Sequence, residues 1–322
     1  MRARPSVRIL LGIALILSLG CKRNQTERFP NRVVSIVHVG EAPWVPVISP
    51  DGEYVYVGNR ESNTVSVIST SRDSTVATVQ GYDGPQGAAV LHNGQYVYFA
   101  HRPARCVSVL RTSDNQMIDS ISFPDEVAFA VASLDDNRVY VSNWQSGNVS
   151  VLSTVYNSVE AVIPIGGTTY FLALSPDGTR LYVSNRTNGT IDIVRASDST
   201  HLGSIHLGQD ITGLAVLPSG RLYASEFALH LVMTVDPTAP GVVDTIPIGR
   251  HPTGVTATPD GKYAYVANYY SDSLSVIRTS DNAVIAEIPC GTRPDYMAVS
   301  SDGSRIYLAC GDGTINVVGS SP

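Results

Sequence analysis

The sequence predicts an all-β fold, a closed seven-bladed propeller whose blades are four-stranded antiparallel sheets. Three observations predict it. A turn of the type Ser-Pro-Asp-Gly recurs about every 42 residues, seven times between Ser49 and Gly303. Each copy is followed by three apolar segments of strand length, the first of which ends in a tyrosine-centred motif. A further segment with the form of a fourth strand precedes the first copy.

The turns set the period of the repeat. They lie 42 residues apart, with one spacing of 41, and begin at Ser49, Leu91, Ser133, Ser175, Leu217, Thr258 and Ser300. In Ser49–Gly52 (SPDG), proline presets φ at the first corner, aspartate tolerates the second, and glycine accepts the left-handed backbone that closes a hairpin. A period of this length is typical of propellers and solenoids.

The segments between the turns predict strands two, three and four of each blade. Seven of the 16 tyrosines occupy one repeat position near the end of the second strand, namely Tyr56, Tyr98, Tyr140, Tyr182, Tyr223, Tyr265 and Tyr307. A third strand such as Val65–Ile68 (VSVI) and a fourth such as Val162–Ile165 (VIPI) follow. Alternation and β-branched residues indicate strands rather than helices.

The two ends of the repeat predict how the ring closes. The seventh unit stops near Val318 without a fourth strand, whereas Arg32–Gly40 (RVVSIVHVG) has that form with no blade before it. Pairing this N-terminal strand with the last blade removes an open sheet edge. We therefore expect one domain over residues 32–318, with a short tail at 319–322.

The first twenty residues predict a targeting segment. Arg2, Arg4 and Arg8 precede the apolar run Ile9–Leu19, whose eleven residues are too short to span a bilayer core of about 30 Å. This is the pattern of a signal peptide. Gly20-Cys21 at its end resembles the lipobox of bacterial lipoproteins, which implies cleavage after residue 20 and lipidation of Cys21. An ordinary secretory peptide with a chance cysteine is the alternative.

The segment that follows predicts where the protein is held. Residues 21–31 read as a polar tether. By the same resemblance, Lys22 rather than aspartate after the cysteine implies sorting to the outer membrane of a Gram-negative cell. The expected location is the cell envelope, with a membrane lipid anchor at Cys21.

Charge and cysteine usage exclude several classes of protein. The net charge of −6 becomes −9 once the arginines of the signal peptide are removed, and Lys22 and Lys262 are the only lysines. We therefore expect no nucleic-acid partner. The four cysteines form no CxxC unit, and the sequence has no Gly-rich phosphate loop, GxSxG or HExxH motif. No cofactor and no metal are predicted.

The repeat motifs SPDG, YVxN, VSVI and IPxG at this spacing resemble the YVTN β-propeller repeat family over nearly the whole mature chain. The resemblance implies a seven-bladed ring and says little about activity. We expect the propeller to be monomeric. More distant similarities extend to lactonase-type propellers and to quinoprotein dehydrogenase subunits, and fold alone does not choose among them.

A binding funnel is predicted on the face that carries the loops after the second and fourth strands. The equivalent residue at the start of each first strand is Trp44, Gln86, Ala128, Tyr170, Thr212, Thr253 or Asp295. The flanking candidates are Asp83, Asp125, Glu126, Asp210, Arg250, His251, Arg293 and Tyr296. The loops between second and third strands add Arg60, Glu61, Arg102, Arg105, Trp144, Arg186, His230, Tyr269 and Tyr270. Aromatic walls and guanidinium groups suit a planar or carboxylate-bearing ligand, or a loop of a partner protein. A solvated polar rim is the alternative.

Three departures from the repeat raise the question of catalysis. Four blades end the second strand with asparagine, whereas His101, Glu226 and Cys310 occupy the other three equivalents. His101 and Glu226 are candidate acid–base residues, or simply strand-end hydrogen-bonding groups. His251, beside Arg250 and opposite Asp295, is the best acid–base candidate. Cys290 and Cys310 lie at neighbouring loop ends and are candidates for a disulfide, or for free buried thiols.

These observations predict an envelope-anchored lipoprotein that acts as a binding or protein-interaction scaffold. Its partner is an envelope protein or a small ligand held at the funnel. The alternative is a propeller enzyme, either a lactonase-like hydrolase or a quinoprotein-type dehydrogenase subunit, with His101, Glu226 and His251 as its catalytic residues.

Overall fold

The computed structural model describes residues 29–208, 210–239 and 241–320. The predicted signal peptide and Cys21 lie outside these residues. The described chain forms 28 strands in seven four-stranded antiparallel sheets, and it contains no helix. The predicted all-β, seven-bladed propeller is confirmed. No helix long and apolar enough to cross a membrane occurs in this part of the chain.

The first, innermost strands of blades 1 to 7 are β2 (Pro43–Ile48), β6 (Pro85–Val90), β10 (Val127–Ala132), β14 (Thr169–Leu174), β18 (Ile211–Val216), β22 (Pro252–Ala257) and β26 (Pro294–Val299). The second strands are β3 (Tyr54–Asn59), β7 (Tyr96–His101), β11 (Arg138–Asn143), β15 (Arg180–Asn185), β19 (Leu222–Glu226), β23 (Tyr263–Asn268) and β27 (Arg305–Cys310).

The third strands are β4 (Thr64–Ser69), β8 (Cys106–Arg111), β12 (Asn148–Ser153), β16 (Thr190–Arg195), β20 (Leu231–Val235), β24 (Ser273–Arg278) and β28 (Thr314–Gly319). The outermost strands of blades 1 to 6 are β5 (Ser74–Gln80), β9 (Gln116–Ser122), β13 (Ser158–Pro164), β17 (Thr200–His206), β21 (Val242–Pro247) and β25 (Ala283–Pro289), and β1 (Arg32–His38) supplies that of blade 7.

The ring has two faces that matter below. The turn face carries the Ser-Pro-Asp-Gly turns and the connections between third and fourth strands. The pocket face carries the loops after the second and fourth strands. At the third turn, where the sequence has Asp135-Asp136 instead of Asp-Gly, Asp136 itself adopts the left-handed conformation with φ 59°. The turn geometry therefore persists where its glycine is missing, as the tolerance of aspartate for this region allows.

The N-terminal strand closes the ring. Strand β1 pairs antiparallel with β28, with Arg32 opposite Gly319 and His38 opposite Thr314. The segment before it continues along the turn face, where the hydroxyl of Tyr265 donates a 2.9 Å hydrogen bond to the carbonyl oxygen of Pro30. The ring of Phe29 lies 5.0 Å from that of Tyr263. The chain therefore enters the ring on the turn face, at the junction of blades 6 and 7.

The tyrosine that recurs in all seven repeats packs between neighbouring blades. All seven are at most 2% exposed. The hydroxyl of Tyr98 donates to Asn157 Oδ1 at 2.8 Å, and that of Tyr140 donates to the carbonyl oxygen of Ala196 at 3.1 Å. Both acceptors lie in the third-to-fourth-strand turn of the next blade. Burial raises the pKa of Tyr98 to about 12, so its phenol stays a neutral donor.

The hydrophobic core is divided between the blades. Buried apolar residues form seven clusters, one at each junction of neighbouring blades, and an eighth cluster lies at the axis. Each blade is therefore stabilised mainly by its two neighbours, and an unclosed ring would leave two of these apolar faces exposed to water.

The inner strands do not approach one another equally. At Gly87, Gly213 and Gly254, the third residue of three inner strands, an added Cβ would lie 2.2–2.6 Å from a backbone oxygen of the next inner strand. Glycine is required there because no side chain fits between the two backbones. In three other blades the third residue of the inner strand is Phe129, Phe171 or Tyr296. These aromatic side chains lie at the axis of the propeller.

Candidate functional site

Aromatic rings close the central channel. We use the name axial plug for Phe129, Tyr170, Phe171 and Tyr296, whose side chains come from blades 3, 4 and 7. The ring of Phe129 lies 4.8 Å from that of Tyr170 and 5.1 Å from that of Tyr296. The rings of Phe171 and Tyr296 are stacked at 5.7 Å. Edge-to-face and stacked contacts at these distances are favourable packing arrangements for aromatic side chains.

Tyr296 ties the plug together across the axis. Its hydroxyl donates to the carbonyl oxygen of Thr212 in blade 5 at 3.0 Å and lies 3.2 Å from the hydroxyl of Tyr170 in blade 4. Burial raises the pKa of Tyr170 to about 12 and that of Tyr296 still further. Both phenols are therefore neutral, and they form a fixed floor beneath the pocket face.

A cavity of about 300 Å³ opens above this floor on the pocket face. We name it the axial pocket. Its lining residues are Ala42, Pro43, Trp44, Arg60, Tyr170, Arg186, Thr212, Phe227, Thr253, Tyr269, Tyr270, Arg293, Asp295, Tyr296 and Gly311. The wall is aromatic on several sides and carries three guanidinium groups and one carboxyl group, which is the composition of a ligand site with a few fixed polar groups.

Two of the three arginines are already engaged. The guanidinium of Arg60 lies 4.7 Å above the Trp44 ring and makes a 2.9 Å ion pair with Glu61. Arg186 lies 5.2 Å from the Tyr170 ring and donates from Nε to Asp210 at 2.8 Å. These stacks and ion pairs orient the two side chains.

Arg293 differs from the other two. Its backbone nitrogen donates to Asp272 at 2.8 Å, and its side chain is exposed at the rim of the pocket. Within the described residues its guanidinium makes no hydrogen bond and no ion pair with a side chain. It is therefore the arginine that can accept a ligand without first releasing a partner.

Asp295 lies deeper in the pocket and is partly buried. No basic group within the described residues forms an ion pair with its carboxyl, and the nearby hydroxyl of Thr253 donates to the backbone carbonyl oxygen of Asp295 at 3.1 Å. Burial raises the pKa of Asp295 to about 7, although the Thr253 hydroxyl and the positive charge of Arg60 act in the opposite direction. At neutral pH this carboxyl is thus close to half ionised.

The structure brings eleven of the predicted funnel residues to the axial pocket, namely Trp44, Arg60, Tyr170, Arg186, Thr212, Thr253, Tyr269, Tyr270, Arg293, Asp295 and Tyr296. Gln86, Trp144, Arg250 and His251 are not among its lining residues. Gln86 is buried. Trp144 packs behind the wall with its ring 4.9 Å from that of Tyr170. Arg250 is exposed and donates to the carbonyl oxygen of Tyr270 at 2.7 Å.

His251 belongs to a separate aromatic cluster. Its ring lies 4.5 Å from that of His230, 4.6 Å from that of Phe227 and 4.8 Å from that of Tyr270. Desolvation and the neighbouring charges of His230 and Arg250 lower the pKa of His251. The predicted pairing of His251 with Asp295 is absent from the described contacts, because His251 packs behind the pocket wall, toward blade 5.

His101 and Glu226 lie beneath the loops and not at the pocket. His101 is fully buried, with Nε2 2.7 Å from Ser108 Oγ and Nδ1 3.2 Å from the carbonyl oxygen of Tyr82. Asn143 makes the equivalent 2.8 Å bond to Ser150. Glu226 is 2% exposed and accepts a hydrogen bond from the backbone nitrogen of Leu229.

Burial has the expected effect on both groups. It lowers the pKa of His101 to about 4 and raises that of Glu226. Neither side chain reaches the axial pocket, so the geometry gives His101 and Glu226 the strand-end role of the repeat asparagines. The acid–base role considered for them has no support in this arrangement.

Cys290 and Cys310 are neighbours at the junction of blades 6 and 7, and both are free thiols. A hydrogen bond with Cys290, together with burial, raises the pKa of the Cys310 thiol. Each cysteine is followed closely in sequence by a pocket residue, Arg293 or Gly311. No group of three or more His, Cys, Asp or Glu side chains in the described part of the chain is placed to hold a metal ion.

Part of the site has no counterpart among the predicted residues. Phe129 and Phe171 of the axial plug and Phe227 of the wall were not candidates. The signal for the two plug residues was present, because the third residue of the seven inner strands is either glycine, a large aromatic residue or valine. Comparison of that position across the blades would have revealed the closed axis.

Comparisons with known proteins agree with this architecture. A family described as "Lactonase, 7-bladed beta-propeller" matches residues 47–122, which run from β2 to the end of β9 and so cover blades 1 and 2. Hydrazine synthase subunit beta of Kuenenia stuttgartiensis is 46% identical over 39 residues, which are 12% of this chain and 10% of that protein. The match thus covers about a tenth of the length of this relative.

The solved structure of Kuenenia stuttgartiensis hydrazine synthase contains a similar chain. It superimposes with a TM-score of 0.81 at 17% identity, covering 87% of this chain and 96% of the other. At this identity the likeness shows the fold alone. The chain is therefore a seven-bladed β-propeller with a lactonase-like repeat in its first two blades and a plugged axis beneath one pocket.

Proposed function

We propose that this protein is an envelope lipoprotein that acts as a binding module and takes its ligand or partner at the axial pocket. One observation carries the proposal. The pocket is closed below by the axial plug, and two groups of opposite charge, Arg293 and Asp295, face it without an ion-pair partner in the described residues. Charged groups left unpaired in a concave aromatic site are the usual means of fixing a polar ligand.

The envelope location is supported by the sequence of the first 21 residues. An apolar run that ends in Gly20-Cys21 suits cleavage and lipidation at Cys21. Several buried acyl chains give stable anchoring, at about 0.8 kcal/mol for each CH₂. The acidic net charge and the absence of a basic surface motif favour a ligand or protein partner over nucleic acid.

The test is capture from the organism's own envelope fraction by the lipidated protein. Arg293→Gln removes the unpaired guanidinium of the pocket. Arg250→Gln is the matched control, because Arg250 is exposed on the same face and outside the pocket lining. We expect a protein or small molecule to be retained by the wild type and by Arg250→Gln, and lost by Arg293→Gln. Equal retention by all three would overturn the proposal.

A second candidate function is lactone hydrolysis. The lactonase family match over residues 47–122 favours it, as does a carboxyl group whose pKa lies near 7 at the pocket floor. The rate of glucono-δ-lactone hydrolysis, measured from the protons that the product acid releases, tests this function directly. Turnover by the wild type that is lost in Asp295→Asn would favour the hydrolase. Rates equal to the uncatalysed background would exclude it for this substrate class.

A further inference from the structure

The charged side chains around the axial pocket form two ion pairs, and one positive and one negative group remain without an ion-pair partner in the described residues. Arg60 is paired with Glu61, and Arg186 with Asp210. The remaining positive charge is Arg293 and the remaining negative charge is Asp295. The pocket is thus close to neutral overall, but its two unpaired groups have opposite signs and stand in different places.

Arg293 and Asp295 come from one short segment of the chain, at the start of blade 7. Arg293 and Asp295 are two residues apart, so their Cα atoms are separated by no more than about 7.6 Å. Arg293 is exposed at the rim, whereas Asp295 is partly buried near the rings of Tyr170, Tyr269 and Tyr296. A ligand that satisfies both groups needs an anionic group toward the solvent and a cationic group toward the floor of the pocket.

We propose that the axial pocket binds an aromatic α-amino acid as its zwitterion, with the carboxylate on Arg293 and the ammonium group on Asp295. This inference rests on the proposed function and names its ligand class. The arginine fork matches a carboxylate in a bidentate arrangement. The ammonium group meets a carboxylate among aromatic faces, where cation–π attraction adds to the ion pair.

The walls and the size of the pocket select the side chain. The cavity of about 300 Å³ accommodates one amino acid with a ring, and Trp44, Phe227 and Tyr270 offer aromatic surfaces beside the two charged groups. Offset stacking or edge contacts between rings are favourable in such a site. Aliphatic amino acids would bind more weakly because they bury less apolar surface.

Charge matching excludes the simpler ligands. A carboxylate without an ammonium group would satisfy Arg293 but leave Asp295 unpaired beside a second negative charge. An amine without a carboxylate would leave Arg293 unpaired beside a second positive charge. Each of these ligands therefore forms only one of the two ion pairs that the zwitterion forms.

Three probes of the same shape test the inference by calorimetric titration of the full-length lipidated protein in detergent. They are L-phenylalanine, 2-phenylethylamine, which lacks the carboxylate, and 3-phenylpropionate, which lacks the ammonium group. We expect L-phenylalanine to bind at least tenfold more tightly than either analogue. Arg293→Gln should abolish its advantage over 2-phenylethylamine, and Asp295→Asn its advantage over 3-phenylpropionate. Arg250→Gln should change neither preference.

The outcomes separate this inference from the proposed function. An analogue that binds as tightly as L-phenylalanine would overturn the zwitterion, and so would an unchanged preference in both pocket variants. If none of the three probes binds while envelope capture still depends on Arg293, the amino-acid ligand is refuted and the binding module stands. If capture and titration both fail, the proposed function falls with it.

Discussion

The hydroxyl of Tyr296 in blade 7 donates a 3.0 Å hydrogen bond to the carbonyl oxygen of Thr212 in blade 5, across the axis of the ring. The bond joins two inner strands that are not neighbours in the ring. It also fixes the ring of Tyr296 between those of Phe129 and Phe171, which lie 5.1 and 5.7 Å away. The floor of the axial pocket is therefore held from two sides of the molecule.

Tyr296→Phe should lower the free energy of unfolding by about 1–3 kcal/mol, because it removes the buried hydroxyl that bonds the Thr212 carbonyl oxygen and lies 3.2 Å from the Tyr170 hydroxyl. Chemical denaturation of the wild type and the variant measures this loss. Tyr270→Phe is the matched control, since Tyr270 is 48% exposed at the pocket mouth. A variant as stable as this control would show that the bond across the axis contributes nothing to stability.

His101→Asn should be tolerated, because asparagine occupies the equivalent position in four blades and in three of them bonds the matching serine, as Asn143 bonds Ser150. His101→Ala should cost about 1–3 kcal/mol, since it leaves the buried Ser108 hydroxyl without its partner and opens a cavity. Thermal unfolding distinguishes the two variants. Equal destabilisation by both would contradict the strand-end role that we assign to His101.

Low pH should destabilise the wild type, because the buried ring of His101 becomes protonated. The pKa of His101 is about 4 in the folded protein and 6.5 in the reference state, so folding favours the neutral ring. The stability that this group contributes is fully present above pH 6.5 and is lost as pH falls through 4. Because asparagine does not titrate, we expect His101→Asn to lose less stability than the wild type between pH 6.5 and 4. Parallel curves for the two proteins would refute this assignment.

Asp295→Asn should stabilise the ligand-free protein at high pH. The pKa of Asp295 is about 7 in the folded protein against a reference value of 3.8. Its contribution to stability is fully present below pH 3.8 and is lost as pH rises through 7, because the folded protein must then hold a partly buried charge. The charged group that acts on this carboxyl is Arg60, and the titratable groups that interact with it are Tyr170, Tyr269 and Tyr296. Burial raises the pKa of all three tyrosines, so they stay neutral across this range.

The melting temperature, measured at pH 5 and pH 8, checks this prediction. We expect the difference between Asp295→Asn and the wild type to increase by several degrees from the lower to the higher pH. A difference that does not change with pH would show that Asp295 titrates normally. L-phenylalanine should bind the wild type more tightly at pH 8 than at pH 6, since its ammonium group requires the ionised carboxylate.

Deletion of residues 1–38 should destabilise the ring cooperatively. It removes strand β1 with the buried side chain of Val37, and also the contacts of Phe29 and Pro30 with blade 6. Deletion of residues 1–28 is the matched control, because it leaves those contacts intact. The longer deletion should lower the melting temperature by more than 10 °C relative to the shorter one. Equal melting temperatures would refute closure by the N-terminal strand.

The fold could be predicted from the sequence because each blade repeats the same local chemistry. Each turn ends in glycine or, at the third turn, in Asp136, which adopts the same left-handed backbone with φ 59°. The number of blades and the missing last strand then follow from counting. The hydrogen bonds between blades could not be predicted, since the acceptor of Tyr98 is Asn157, in a turn 59 residues later.

From the sequence, the candidate site could be assigned to one face of the propeller but not to a particular set of side chains. Repeat position places Trp44, Tyr170 and Asp295 at equivalent points around the axis, so their convergence follows from symmetry. Side-chain direction does not follow from symmetry. Arg293 lines the pocket, whereas Arg250, one position earlier in the corresponding loop of blade 6, donates to the carbonyl oxygen of Tyr270. Which arginine remains unpaired depends on such local partners, and these are set by tertiary packing.

The entry of the chain on the turn face has a consequence for orientation. Seven residues lie between Cys21 and Phe29, and a random coil of that length spans about 16 Å on average. Strands of six residues make the disc about 20 Å thick. A lipid on Cys21 would therefore hold the turn face nearest the bilayer and leave the mouth of the axial pocket toward the aqueous compartment. The axial pocket would then be accessible to dissolved solutes, and the turn face would lie toward the lipid.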